Sequence, residues 1–84
     1  MAKLTSMMNI GKELERKLSS IGIDSAEKLM EEGAEQAFLR LKASYPQVCL
    51  VHLYALEGAI SQTEFNSLPP DRKKALKAFS DSLK

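Results

Sequence analysis

Tryptophan is absent from this 84-residue chain, and only five of its residues are aromatic. Its core must therefore be mostly aliphatic, drawn from Leu, Ile, Met and Ala. There is one cysteine, Cys49, so an intrachain disulfide is impossible and a reducing, cytoplasmic home is expected. No apolar run approaches the roughly 18 residues that cross a bilayer. The N-terminus has no apolar stretch of the secretory-signal kind, so no membrane association is expected. A single histidine, His52, leaves a metal site short of ligands, because a four-coordinate zinc site needs more nitrogen or sulfur donors than Cys49 and His52 supply. Charge excess is missing too. Twelve basic residues face eleven acidic ones, a net +1, whereas a nucleic-acid-binding domain commonly has a pI above about 9.

The length fits one domain, residues 1–84, and such a chain buries only about 60% of the surface exposed when unfolded. Its 44% hydrophobic content supplies one modest core. Little is left for a deep cleft, so no small-molecule substrate and no cofactor is expected. The charges are unevenly spread. Residues 1–20 carry a net +2, residues 21–68 a net −4 and residues 69–84 a net +3. Basic ends around an acidic middle describe either a bipolar surface or simply solvated helix faces.

Hydrophobic spacing is helical nearly everywhere. Only Val48–Val51 hints at a strand, and Leu53, Leu56 and Ile60 continue that run at helical spacing. The expected fold is an all-α, compact bundle of five to six short helices. A first short helix spans Leu4 to Met8, and a second Lys12 to Ser20, with Leu14, Leu18 and Ile21 on one stripe. Gly22 stops it. Ser25 caps a third helix, which Gly33 ends. A fourth runs from about Glu35 to Ser44, before Pro46. The fifth, from about Gln47 to Ile60, is apolar almost all round and should be central. Phe65 marks one extra turn, and Leu68-Pro69-Pro70-Asp71 opens the last helix. The expected core is Leu14, Leu18, Ile21, Phe38, Leu41, Leu50, Leu53, Leu56 and Leu76.

One constellation carries a mechanism. Asn9-Ile10-Gly11 is a tight turn between two helical segments, and Leu14, Leu18, Ile21, Ile23 and Leu29 follow at fixed spacing, with Gly22 between the two isoleucines. This resembles the helix-hairpin-helix motif, in which a Gly-hydrophobic-Gly turn leads into a second helix. The central hydrophobic residue anchors the turn. Free amides at the helix N-terminus then suit an anion such as a DNA phosphate. The candidate nucleic-acid-binding residues are Asn9, Gly11, Lys12 and Arg16. Asn9 departs from the motif's first glycine. Asn tolerates left-handed backbone, but its side chain is expected to crowd an approaching phosphate.

The whole chain resembles the C-terminal domain of the TfoX family, bacterial regulators of competence also called Sxy. The resemblance rests on Asn9-Ile10-Gly11 with Leu14 and Leu18, on Gly22-Ile23, and on Phe38-Leu39-Arg40-Leu41-Lys42 before Pro46. Its densest block is Val48-Cys49-Leu50-Val51-His52-Leu53-Tyr54-Ala55-Leu56-Glu57-Gly58-Ala59-Ile60, and Leu68-Pro69-Pro70 with the closing basic helix completes it. The resemblance implies a compact helical domain with a helix-hairpin-helix-like start and a link to regulation of DNA uptake and transcription. Full-length members also carry an N-terminal α/β domain, which implies either a stand-alone member or a piece of a longer protein.

Other candidate chemistry reads as structural. Cys49 and His52 share a helix face without oxyanion donors or a third group, so no Cys–His nucleophile is expected. Glu57 either caps a neighbouring helix or faces solvent, and Gly58 permits a close helix approach. Glu31, Glu32 and Glu35 read as a solvated face, Met7 and Met8 as core or interface filler. The expected function is a non-enzymatic regulatory module that binds a protein partner or itself through an apolar helix face. The alternative is weak, sequence-independent binding of the DNA backbone through the hairpin.

Overall fold

Two features of the first half of the chain fix where its helices stop. Gly22 and Gly33 both take positive φ, +92° and +86°, a region that costs a glycine nothing. At Gly22 the amide donates to the Ser19 carbonyl (3.1 Å) and the Ile23 amide to the Leu18 carbonyl (2.9 Å). That paired arrangement is a Schellman cap, and it swings Ile23 back into the core beside Leu18.

The computed structural model describes residues 3–83. Its helices are α1 (Lys12–Ser20), α2 (Ala26–Glu32), α3 (Ala34–Ser44), α4 (Leu50–Ser61) and α5 (Pro70–Asp81), with short 3-10 turns at Leu4–Ser6 and Phe65–Ser67. The fold is all-α, with no strand among the described residues. No helix among the described residues is long and apolar enough to cross a membrane. Helix α4 lies centrally, against α3, α5 and the second 3-10 turn, while α1 and α2 pack on α3.

Several boundaries differ from the sequence-based expectation, each for a local reason. The first segment is a single 3-10 turn rather than a helix to Met8, because Met7 is already extended and Asn9 left-handed. Helix α4 begins at Leu50, not Gln47. Tyr45 to Val48 form a turn instead, and Lys42 Nζ donates to the carbonyls of Pro46 and Val48 (both 3.3 Å), groups that helix would otherwise have satisfied. Ser25 caps α2 as expected, its hydroxyl accepting from the Lys28 amide at 3.2 Å.

Seven of the nine expected core residues are buried: Leu14, Leu18, Phe38, Leu41, Leu53, Leu56 and Leu76. Ile21 and Leu50 only flank the core. Both sit at helix ends, where the backbone turns away before the side chain can be enclosed. Leu4, Ile10, Ile23, Leu29, Val48 and Leu68 fill the space in their stead, five of them outside any α-helix. Helix α4 is tied to α5 by Tyr54, whose hydroxyl donates to the Lys73 carbonyl (3.2 Å), and by a 3.0 Å ion pair between Glu57 and Arg72. Glu57 thus serves a neighbouring helix.

Leu53 is fully buried in the first turn of α4. Leu53→Ala should destabilise the domain by about 2–5 kcal/mol, measured by urea unfolding. An unchanged midpoint would show that α4 is not central.

Candidate interaction site at the N-terminal hairpin

The hairpin, the turn that joins the first 3-10 turn to α1, forms because Asn9 accepts a left-handed backbone, at φ +72°, and Ile10 buries immediately after it. Gly11 is extended and precedes the first helical residue of α1, with no side-chain cap. The first-turn amides of a helix lack intrahelical partners. Those of Gly11 and Lys12 also find none among the described residues.

Asn9 does more than turn the chain. Its Nδ2 donates to the Thr63 carbonyl (2.9 Å), and its Oδ1 accepts from the Phe65 amide (3.3 Å). The side chain is therefore committed to the connection after α4, and the expected crowding of the Gly11 amide is corrected. The arrangement is possible because Gly58 is buried beneath it. A Cβ there would collide with both Asn9 Nδ2 and the Thr63 carbonyl. Gly58 permits close approach by a loop and a turn rather than by a helix. No spacing in the sequence signals this contact, which spans 54 residues. The one available clue was the residue type, since asparagine combines left-handed backbone with two hydrogen-bonding atoms.

The four sequence-predicted residues are only partly assembled. Gly11 and Lys12 are adjacent and exposed, and Arg16 lies one turn on, also exposed. Asn9 is directed elsewhere. Arg16 is engaged by Glu13 at 2.6 Å, and Lys17 lies 3.9 Å from the same carboxylate. The Arg16 hydrogen bond and its charge hold the Glu13 carboxyl below its ordinary value, so the pair persists at neutral pH and opens only as pH falls through that lowered value. On the other side Glu15 accepts from the Thr5 amide (3.3 Å). It lines, with Asp24, Lys3 and Lys12, a shallow cavity of about 640 Å³. The positive charge that a phosphate would meet is thus largely balanced by carboxylates.

Between the hairpin and α4 lies a groove of about 320 Å³, bounded by Gly11, Leu14, Lys17, Val51, His52, Ala55 and Phe65. Sequence reasoning did not identify it. Val51 and Phe65 border it while 54% and 40% exposed, high for such large apolar groups. An α4 covered all round would have hidden Val51. At the start of α4, His52 Nδ1 accepts from the Cys49 amide (3.1 Å) and lies 3.6 Å from the Cys49 sulfur. No group of three or more metal-ligating side chains occurs among the described residues.

Gly58→Ala should cost about 1–3 kcal/mol by overpacking, and Asn9→Gly should lose stability through its two hydrogen bonds. Thermal melts of both variants test this. If Gly58→Ala melts as wild type does, the packing around Asn9 is wrong.

The comparisons agree with this architecture. Two solved structures from Listeria monocytogenes superpose on the chain with a TM-score of 0.95 each. One is described as an uncharacterised protein in a triclinic form, 40% identical, with 98% of this chain and 93% of that one covered. The other is described as a protein of unknown function in a tetragonal form, 39% identical, with 98% and 100% covered. Protein Sxy of Escherichia coli K12 is 33% identical over 81 residues, which are 96% of this chain and 39% of that protein. The chain thus spans about two fifths of that curated relative's length. The family model for the TfoX C-terminal domain matches residues 1–80, and the chain belongs to that family.

Proposed function

We propose that this competence-regulator-like domain is a non-enzymatic regulatory interaction module of the cytoplasm, which engages a protein partner through the groove between the hairpin and α4. The observation that carries this reading is the exposure of Val51 and Phe65 along one continuous apolar groove, with Leu14 and Ala55 at its floor. Isolated exposed apolar residues are ordinary, but a cluster rimmed by polar groups is typical of interaction surfaces. The neutralised charges support the same choice. Arg16 faces Glu13 and Lys12 shares its cavity with Glu15 and Asp24, whereas phosphate binding relies on uncompensated cations.

A second reading keeps one specific observation in its favour. The Gly11 and Lys12 amides open α1 with no partner among the described residues, and a helix N-terminus attracts anions. On this reading Gly11, Lys12 and Arg16 touch a DNA backbone without reading sequence.

Two measurements separate the readings. A photo-crosslinking residue in place of Val51 should give a discrete protein adduct in cells, one that the same residue at exposed Lys74 does not give. If both positions give the same adducts, or neither gives any, the groove reading fails. Titration of a short labelled duplex should show negligible binding even at low salt. Should binding appear and the salt slope flatten by about one unit in Lys12→Ala, the backbone-binding reading takes its place.

A further inference from the structure

We infer that the groove between the hairpin and α4 takes an acidic apolar peptide: a segment with one or two large apolar side chains next to a carboxylate. The inference rests on the reading of this domain as a protein-interaction module and adds the chemistry of the partner. It follows from an account of the polar groups around the groove. Asn9 has both side-chain polar atoms committed, to Thr63 and Phe65. The Glu13 carboxylate, the acidic group at the rim, is held by Arg16 at 2.6 Å with Lys17 beside it. His52 Nδ1 is occupied as an acceptor by the Cys49 amide, so the neutral ring carries its proton on Nε2 as a donor. That Nε2 has no partner among the described residues, and neither does the Gly11 amide.

Both polar atoms of Asn9 and one oxygen of Glu13 are therefore used internally, while the Gly11 amide and His52 Nε2 remain as donors. Glu13, Arg16 and Lys17 together leave one positive charge, and the N-terminus of the nine-residue helix α1 adds to it. The floor of Leu14 and Ala55 and the bordering Val51 and Phe65 offer only apolar contact. An occupant that fits must bring acceptors and negative charge at its edge and hydrocarbon at its centre. A basic segment meets like charge and unmatched donors. A volume of about 320 Å³ admits one or two side chains of leucine or phenylalanine size rather than a whole helix.

Three fluorescein-labelled twelve-residue peptides test this against the isotope-labelled domain. The first has a central Leu-Leu pair flanked by glutamates, the second the same pair flanked by lysines, and the third glutamates around a Ser-Ser pair. The first should shift the amide resonances of Gly11, Lys17, Val51, Ala55 and Phe65, and should bind about tenfold or more tightly than either of the others. Val51→Glu, at an exposed position, should keep the wild-type melting temperature yet weaken the first peptide by a similar factor. Should the lysine peptide bind those residues equally well or better, the acidic chemistry is overturned while the groove reading stands. If no peptide shifts groove residues, and Val51 gives no cellular adduct, both fail. A concentration-dependent dimer in sedimentation that Val51→Glu abolishes would make a second copy the occupant and overturn the peptide proposal.

Discussion

The position of the hairpin depends on one side chain, Asn9. A left-handed residue was needed to bring the chain from the first 3-10 turn into α1, and glycine would have satisfied the backbone alone. Asparagine also fastens the turn to Thr63 and Phe65, on the far side of α4 in sequence. Gly58 is the matching concession, since any side chain there would occupy the space that Asn9 and Thr63 share. With these groups in place, α1 lies beside the first turns of α4, and the groove bounded by Leu14, Val51 and Phe65 is defined. The site is thus a product of packing between three separated segments, and no single motif contains it.

The core follows from the scarcity of aromatic residues. Phe38 is its one fully buried ring, and leucines supply most of the remaining volume. Aliphatic side chains pack well only when their helices are held in register. That register comes from polar ties between helix ends. Tyr45 bonds Ser20 at 2.7 Å with Lys17 over its ring, and Arg40 bonds both the Ile21 carbonyl and Glu32. These ties are largely solvent-exposed, so their contribution is geometric more than energetic. Helix α5 hangs mainly on α4, through Leu76, Tyr54 and Glu57.

Much of this was legible in the sequence. Gly22, Ser25, Gly33 and Pro70 act where their local chemistry says they should, because capping is decided within a few residues. The all-α class and the central place of Leu53 and Leu56 followed from spacing alone. The errors concern what spacing cannot register. Val48 is buried from a turn, held there by Lys42, and Leu68 is buried from the residue before two prolines. Periodicity sees both only as neighbours of helices. At the candidate site, the residue types around Gly11 and Lys12 suggest an anion site, but Arg16 is engaged by Glu13 three residues earlier on the same helix. Nor could spacing alone show the groove, since it requires Phe65 and Val51 to line one cavity with Leu14.

The Asn9–Thr63 bond also bears on what holds the N-terminal turn in place. It closes a span of 54 residues, and ring closure of that size costs on the order of 3–4 kcal/mol in chain entropy. Two hydrogen bonds at roughly 0.5–1.5 kcal/mol each do not offset that cost alone. Burial of Leu4 and Ile10 in the core must supply the rest of what holds the turn. Because Asn9 and Gly11 belong to the lining of the groove, the shape of the groove is tied to the docking of that turn.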